Sequence, residues 1–280
     1  VEQPGASSVA SGRNLPVAIT VGVVLVVAFL GTLYTSTLAF TGVVLLFAVV
    51  GALEAGHVLA TLDPPRPVAR PVLVAGIVVL LVGAYVLGPA GQTLGLLVLL
   101  LGGFVWNLAL LPRIDVVTKL GATTLLGVWV GLLGSYAVLL ATRPEDGPTA
   151  VLTVIGAAIL GDIGGYVFGR LLGRHHIAPT VSPNKTWEGL LGGMLLAGVL
   201  AALVLPHVGD LFAGRLPAVA VALLCVLAGF VGDLTESMVK RDLGVKDLGS
   251  LLPGHGGVLD RVDGVLVALP VGYYALELLA

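Results

Sequence analysis

Residues 233–264, DLTESMVKRDLGVKDLGSLLPGHGGVLDRVDG, gather acids, bases and a histidine in a chain that is 57% hydrophobic and 11% charged. Asp233, Ser237, Lys240 and Arg241 recur at i, i+4, i+7 and i+8, which places them on one face of a helix. The run Leu252-Pro253-Gly254-His255-Gly256-Gly257 breaks that helix, and Asp260 and Asp263 are expected one turn apart at the start of the next. Carboxylates in apolar surroundings repel one another unless a cation neutralises them. A divalent ion held by Asp233, Asp260 and Asp263 is the simplest resolution, and oxygen donors favour Mg2+ or Mn2+ over zinc. The alternative is that Lys240, Arg241 and Arg261 neutralise the acids as structural ion pairs. Acids for a metal beside bases for phosphate suit metal-assisted phosphoryl or nucleotidyl transfer. Gly256 and Gly257 precede the last helix, where backbone amides can bind phosphate, and His255 beside them can donate to a phosphate or leaving group.

Further ionisable residues lie inside apolar stretches, where burial in lipid is costly and signals function. Asp162 sits in GDIGGYVFGR about two turns before Arg170, among glycines that leave room for another backbone or a ligand. Glu54 and His57 are three apart and can pair, with packing an equal alternative. Glu277 near the end of the last segment can snorkel to water. In the connection 171–189, His175 and His176 are adjacent and make a poor metal pair, so an interfacial position suits them. Ser182 or Asn184 is expected to cap the following helix, Trp187 to anchor it, and Lys185 to project into the site as a phosphate ligand. Lys246 adds a further cation near the cluster. Cys225 stands alone, which excludes a disulfide and a cysteine metal site and leaves a small core residue.

What must position these groups is a membrane bundle. A mean hydropathy of +1.07 excludes a soluble domain, in which roughly a quarter of residues are charged. Nine apolar segments are each near the roughly 20 residues that span a bilayer: 15–34, 37–61, 69–88, 92–111, 119–141, 149–170, 187–206, 216–239 and 259–279. The first is longer than a signal-peptide core and reads as a span. We therefore expect one all-α, polytopic domain over 1–280, with residues 1–14 as an amino-terminal tail. Of the 14 lysines and arginines, all but Arg143 and Arg215 fall on the side of the amino terminus under this division. By the positive-inside rule the amino terminus and the site's loops are cytoplasmic and the carboxyl terminus is outside. The active site is then expected at a cytoplasmic-side junction, where a basic face attracts head groups and nucleotides.

Ser237…Lys240-Arg241, Lys246-Asp247, Pro253-Gly254-His255-Gly256-Gly257 and Asp260-Arg261-Val262-Asp263 together resemble the signature of phosphatidate cytidylyltransferases, the CDP-diacylglycerol synthases. Asp162…Gly165-Tyr166…Gly169-Arg170 and Ser182-Pro183-Asn184-Lys185-Thr186-Trp187-Glu188-Gly189 are similar to that family as well. The likeness covers about 155–265 without departure at its polar positions; the first half matches only as apolar helices. It implies CTP and phosphatidic acid as substrates drawn from water and the bilayer, with CDP-diacylglycerol and pyrophosphate as products. It implies a role in the chemistry for Asp233, Ser237, Lys240, Arg241, Asp260 and Asp263. Asp162, Lys185, Lys246, His255, Gly256, Gly257 and Arg261 are then expected to bind substrate. It also implies magnesium, with a monovalent cation such as K+ beside it in some members. A homodimer is left open and no nucleic-acid partner is expected. Two alternatives stand beside this reading. One is a CTP-using membrane enzyme with another lipid acceptor. The other, a transporter, fits poorly because the acids gather at one junction instead of spreading through several spans. A CDP-alcohol phosphotransferase is disfavoured, since its long aspartate motif is absent.

Overall fold

In a bilayer every backbone polar group must find its partner within the chain, so apolar segments of this length fold as helices. The computed structural model describes residues 15–109, 115–144, 146–251 and 256–279. His255, with Leu252–Gly254, the tail 1–14, Arg113 and Ala280 fall outside the described residues. In chain order the helices are α1 (Leu15–Thr35), α2 (Thr37–Thr61), α3 (Arg70–Leu87), α4 (Pro89–Ala109), α5 (Val116–Leu126) and α6 (Leu133–Ala141). A wider π-helical stretch, Gly127–Leu132, joins α5 to α6 without a break. Then come α7 (Gly147–Leu172), α8 (Trp187–Val204), α9 (Arg215–Asp242) and α10 (Asp263–Leu279). Among the described residues, seven helical stretches are long and apolar enough to cross a membrane, the joined α5–α6 stretch counting as one. Helices α1 and α10 are further apolar helices. Large apolar side chains such as Val24, Leu101, Leu195 and Leu203 face outward, as a lipid-facing surface requires, while Phe40, Leu73, Ile77, Leu80 and Leu140 fill the interior.

Glycines set the spacing where the site is built. Helices α7 and α8 touch backbone to backbone: a Cβ added at Gly193 would lie 2.4 Å from the Gly161 carbonyl oxygen, and one at Gly189 would lie 2.6 Å from that of Gly165. Such close approach is the packing available to membrane helices, which lack a hydrophobic drive toward one another. The start of α10 seats on α9 in the same way, with Gly264 against the Gly229 carbonyl and Gly232 against that of Asp263. These two contacts bring Asp162, Asp233 and Asp263 to one end of the bundle.

Two local expectations change. The connection between α7 and α8 is not plain loop: His176–Ala178 (β1) and Ser182–Thr186 (β2) form a small antiparallel hairpin, paired His176 with Thr186 and Ala178 with Ser182. The hairpin satisfies backbone groups that leave α7 at the bundle end, and it adds strand to an otherwise helical fold. In addition, Asp260 does not open a helix with Asp263. Leu259–Arg261 is a single 3-10 turn, and α10 starts at Asp263.

Candidate functional site

The last three turns of α9 carry the centre of the site. Asp233 is half-buried and forms a 2.6 Å ion pair with Lys185, which reaches over from β2. Lys185 also lies 4.4 Å from the centroid of the Phe230 ring and donates to the Phe230 carbonyl, so its stem and charge are both held against α9. Ser237 donates to Asp233 from one turn further on, at 3.3 Å. Asp162 on α7 is accessible and lies within electrostatic range of Asp233, Lys185 and Asp263. Asp263 faces Glu236 on α9, a residue only 1% exposed whose Oε1 has no hydrogen-bond partner. Four helix-borne carboxylates thus share one region with one strand-borne lysine.

Asp260 belongs to a neighbouring arrangement. Its side chain is 2% exposed and turned toward Lys240, which bridges Asp260 Oδ1 at 3.0 Å and Glu236 Oε2 at 2.7 Å. The backbone amides of Leu248 and Gly257 also donate to Asp260. Burial pushes the Asp260 carboxyl upward, but the Lys240 ammonium and these two amides outweigh it and hold the group below the usual carboxylate range. The ion-pair alternative therefore applies to Lys240 and Asp260. The Gly257 amide is not free for phosphate, because Asp260 takes it; Gly256 beside it adopts φ +81, which favours glycine.

Arg241 is exposed and donates through Nε to the Val181 carbonyl, tying α9 to the hairpin. Lys246 and Arg261 are exposed at the same end. Arg66, between α2 and α3, pairs with Asp242 at 3.2 Å, which puts it at the end of the bundle where α9 carries Lys240 and Arg241. At the opposite end Arg143 pairs with Glu277, and the hydroxyls of Tyr136 and Tyr274 lie 3.2 Å apart.

The cap of α8 is Thr186, whose hydroxyl accepts from the Gly189 amide, and not Ser182 or Asn184, which lie on the strand. Trp187 is exposed at the first position of α8, and Cys225 is fully buried in the core. Glu188 holds the connection by accepting from the amides of Arg174 and His175 and by contacting the His175 ring, which leaves His175 and His176 exposed. Glu54 does not turn to His57. It accepts from the amides of Ser250, Leu251 and Val258, and His57 is exposed.

The model of the cytidylyltransferase family matches residues 16–279, which spans this arrangement and nearly all of the bundle. The chain belongs to the cytidylyltransferase family. A protein of Mycobacterium bovis named phosphatidate cytidylyltransferase is 32% identical over 299 aligned positions, covering 99% of this chain and 93% of its own length. A protein of the same name from Mycobacterium leprae is 35% identical, covering 96% of this chain and 89% of the relative. One from Synechocystis is 43% identical over 165 positions, covering 57% of this chain and 54% of its own length. In this cytidylyltransferase-family chain the match therefore extends through the first half, where the sequence shows only apolar helices.

Among the described residues no three His, Cys, Asp or Glu side chains are drawn into a ready metal-binding group. The donor set nevertheless fits a hard divalent ion. Asp162, Asp233 and Asp263 lie within electrostatic range of one another, and a buried Glu236 oxygen has no hydrogen-bond partner; oxygen donors of this kind suit magnesium. Glu236 escapes a reading confined to Asp233, Ser237, Lys240 and Arg241. Its signal was its spacing, three residues after Asp233 and four before Lys240 on the same helix.

Proposed function

We propose that this protein is a phosphatidate cytidylyltransferase of phospholipid biosynthesis, joining CTP to phosphatidic acid to give CDP-diacylglycerol and pyrophosphate. The observation that carries this reading is the cluster of Asp162, Asp233, Glu236 and Asp263 with Lys185 and Lys240 at one end of an apolar bundle. A phosphate oxygen of phosphatidic acid forms a bond to the α-phosphorus of CTP, and the bond from that phosphorus to the β-phosphate oxygen breaks. An ionised phosphate is already a nucleophile, so the protein's task is in-line positioning and neutralisation of charge. Lys185 and Arg241 border the site from β2 and α9 and would hold phosphates, with exposed Lys246 and Arg261 as entry contacts for the nucleotide. Lys240 sets Asp260 and Glu236, and Ser237 orients Asp233. Asp233 and Asp263, with Asp162 beside them, would hold Mg2+ or Mn2+, and Asp260 would act with them through the turn it stabilises. When bound, the ion would offset the charge that develops on the phosphates. His255 and Gly256 stay assigned to substrate on sequence alone.

The bundle is read as nine spans in the cell membrane, with the amino terminus and the site cytoplasmic, the carboxyl terminus outside, and acyl chains entering from the bilayer. The gathering of Arg66, Lys185, Lys240 and Arg241 at one end supports that orientation. Purified protein supplied with CTP, magnesium and phosphatidic acid should release pyrophosphate and form CDP-diacylglycerol. Pyrophosphate release that ignores phosphatidic acid and responds to another lipid phosphate would replace the acceptor; none with any lipid phosphate would overturn the reading. Exchanging potassium for choline in the same assay tests the monovalent cation, and sedimentation in detergent tests a homodimer.

A further inference from the structure

Glu54 lies on α2, in the half of the chain that carries no recognisable polar signature. Its carboxylate accepts three main-chain hydrogen bonds from a segment about 200 residues away: Ser250 and Leu251 on Oε1, and Val258 on Oε2 at 2.9 Å. The fit is close. A Cβ added at Gly249 would lie 2.0 Å from Glu54 Cδ, and one at Gly51, a turn earlier on α2, would meet the Val258 side chain at 3.4 Å. The same two arms, 248–251 and 256–258, are held by Asp260 through the amides of Leu248 and Gly257. Two carboxylates, one from α2 and one from the turn before α10, therefore grip the backbone on either side of Leu252–His255.

We propose that Glu54 is a positioning residue for nucleotide binding: it fixes these arms, and through them the Asp260–Lys240 pair, in the register the phosphates require. It acts through the backbone and touches no reacting atom. An ionised carboxylate suits the task because it is acceptor-only, with enough lone pairs for three donors, and its bonds to amides are charge-assisted. Glutamine keeps the shape but turns an NH2 group toward one of those amides. The proposal rests on the assignment of the Asp260 region to the nucleotide site, so its test has one arm that does not depend on turnover.

Hydrogen–deuterium exchange is compared for wild type, Glu54→Gln and Glu54→Ala in lipid nanodiscs. Peptides covering 248–251 and 256–258 should exchange at least about tenfold faster in both variants, the loss expected for a charge-assisted bond, while peptides from α3 and the first half of α9 stay unchanged. In steady-state assays Glu54→Gln should raise the KM for CTP or lower kcat by about tenfold, with the KM for phosphatidic acid within about twofold. Unchanged exchange in both variants overturns the clamp. Faster exchange with unaltered CTP kinetics overturns the positioning role, as does a Glu54→Gln protein that loosens throughout. If the wild type shows no CTP turnover, the functional reading fails, and the exchange arm still decides the clamp.

Discussion

Replacing Lys240 by alanine separates a structural role from a catalytic one. The Lys240 ammonium bridges Glu236 and Asp260, whose side chains are 1% and 2% exposed. Removing one partner of a buried ion pair costs about 3–5 kcal/mol, because the other charge is left uncompensated. Asp260 is cushioned by two backbone amides, and Glu236 still faces the Asp263 carboxyl at the start of α10. The cost should therefore sit near the lower end, at about 3 kcal/mol. Equilibrium unfolding in mixed micelles should show that loss for Lys240→Ala. The double variant Glu236→Gln/Lys240→Met removes both charges and should recover more than half of it, yet turnover should stay at least about tenfold down in both. A single variant within about 1 kcal/mol of wild type, or a double variant no more stable than the single, would refute the reasoning.

Three other outcomes follow from the same geometry. Gly193→Leu drives a side chain into the Gly161 carbonyl, which cannot rotate away, and should cost upwards of about 3 kcal/mol along with activity; Gly198→Ala, which meets only side chains at 3.4 Å or more, should be tolerated in the same unfolding assay. The depressed Asp260 carboxyl contributes stability that is present above about pH 4, the unfolded value, and is lost as pH falls through the folded one, so Asp260→Asn should be less stable at neutral pH but show a shallower acid loss in pH-dependent unfolding. Arg241→Ala should change stability by less than about 1 kcal/mol, since its bond to Val181 is exposed, but lower CTP turnover at least about tenfold; a variant altered only in acyl-chain preference would place Arg241 in the lipid pocket instead.

The legible part of the site is what lies on one helix. Spacing alone places Asp233, Ser237, Lys240 and Arg241 on a common face, and Ser237 does meet Asp233 across one turn. Lys185 was also legible, as a cation on a connection leading back to the membrane, although its strand was not: three- and five-residue strands carry too little periodic signal. Three-residue spacing predicts Asp260 and Asp263 as neighbours on one helix. The chain breaks that inference with a 3-10 turn, sending one carboxylate to loop amides and the other toward Glu236.

By itself the sequence determined that this chain forms a membrane-embedded helical bundle, because apolar runs of such length leave the backbone no other way to satisfy its hydrogen bonds. It also showed that ionisable residues gather late in the chain, between 233 and 263, and charge is too costly in lipid to be scattered without use. Which acids meet was decided only by tertiary structure. Asp162, Asp233 and Asp263 come from three helices, and their approach depends on glycine contacts between α7 and α8 and between α9 and α10. Glu54 is the clearest case: nothing within its own helix reveals that its partners are amides from residues 250 to 258. Backbone donors are the same at every position, so no residue type marks them, and only the folded path of the chain brings them within reach.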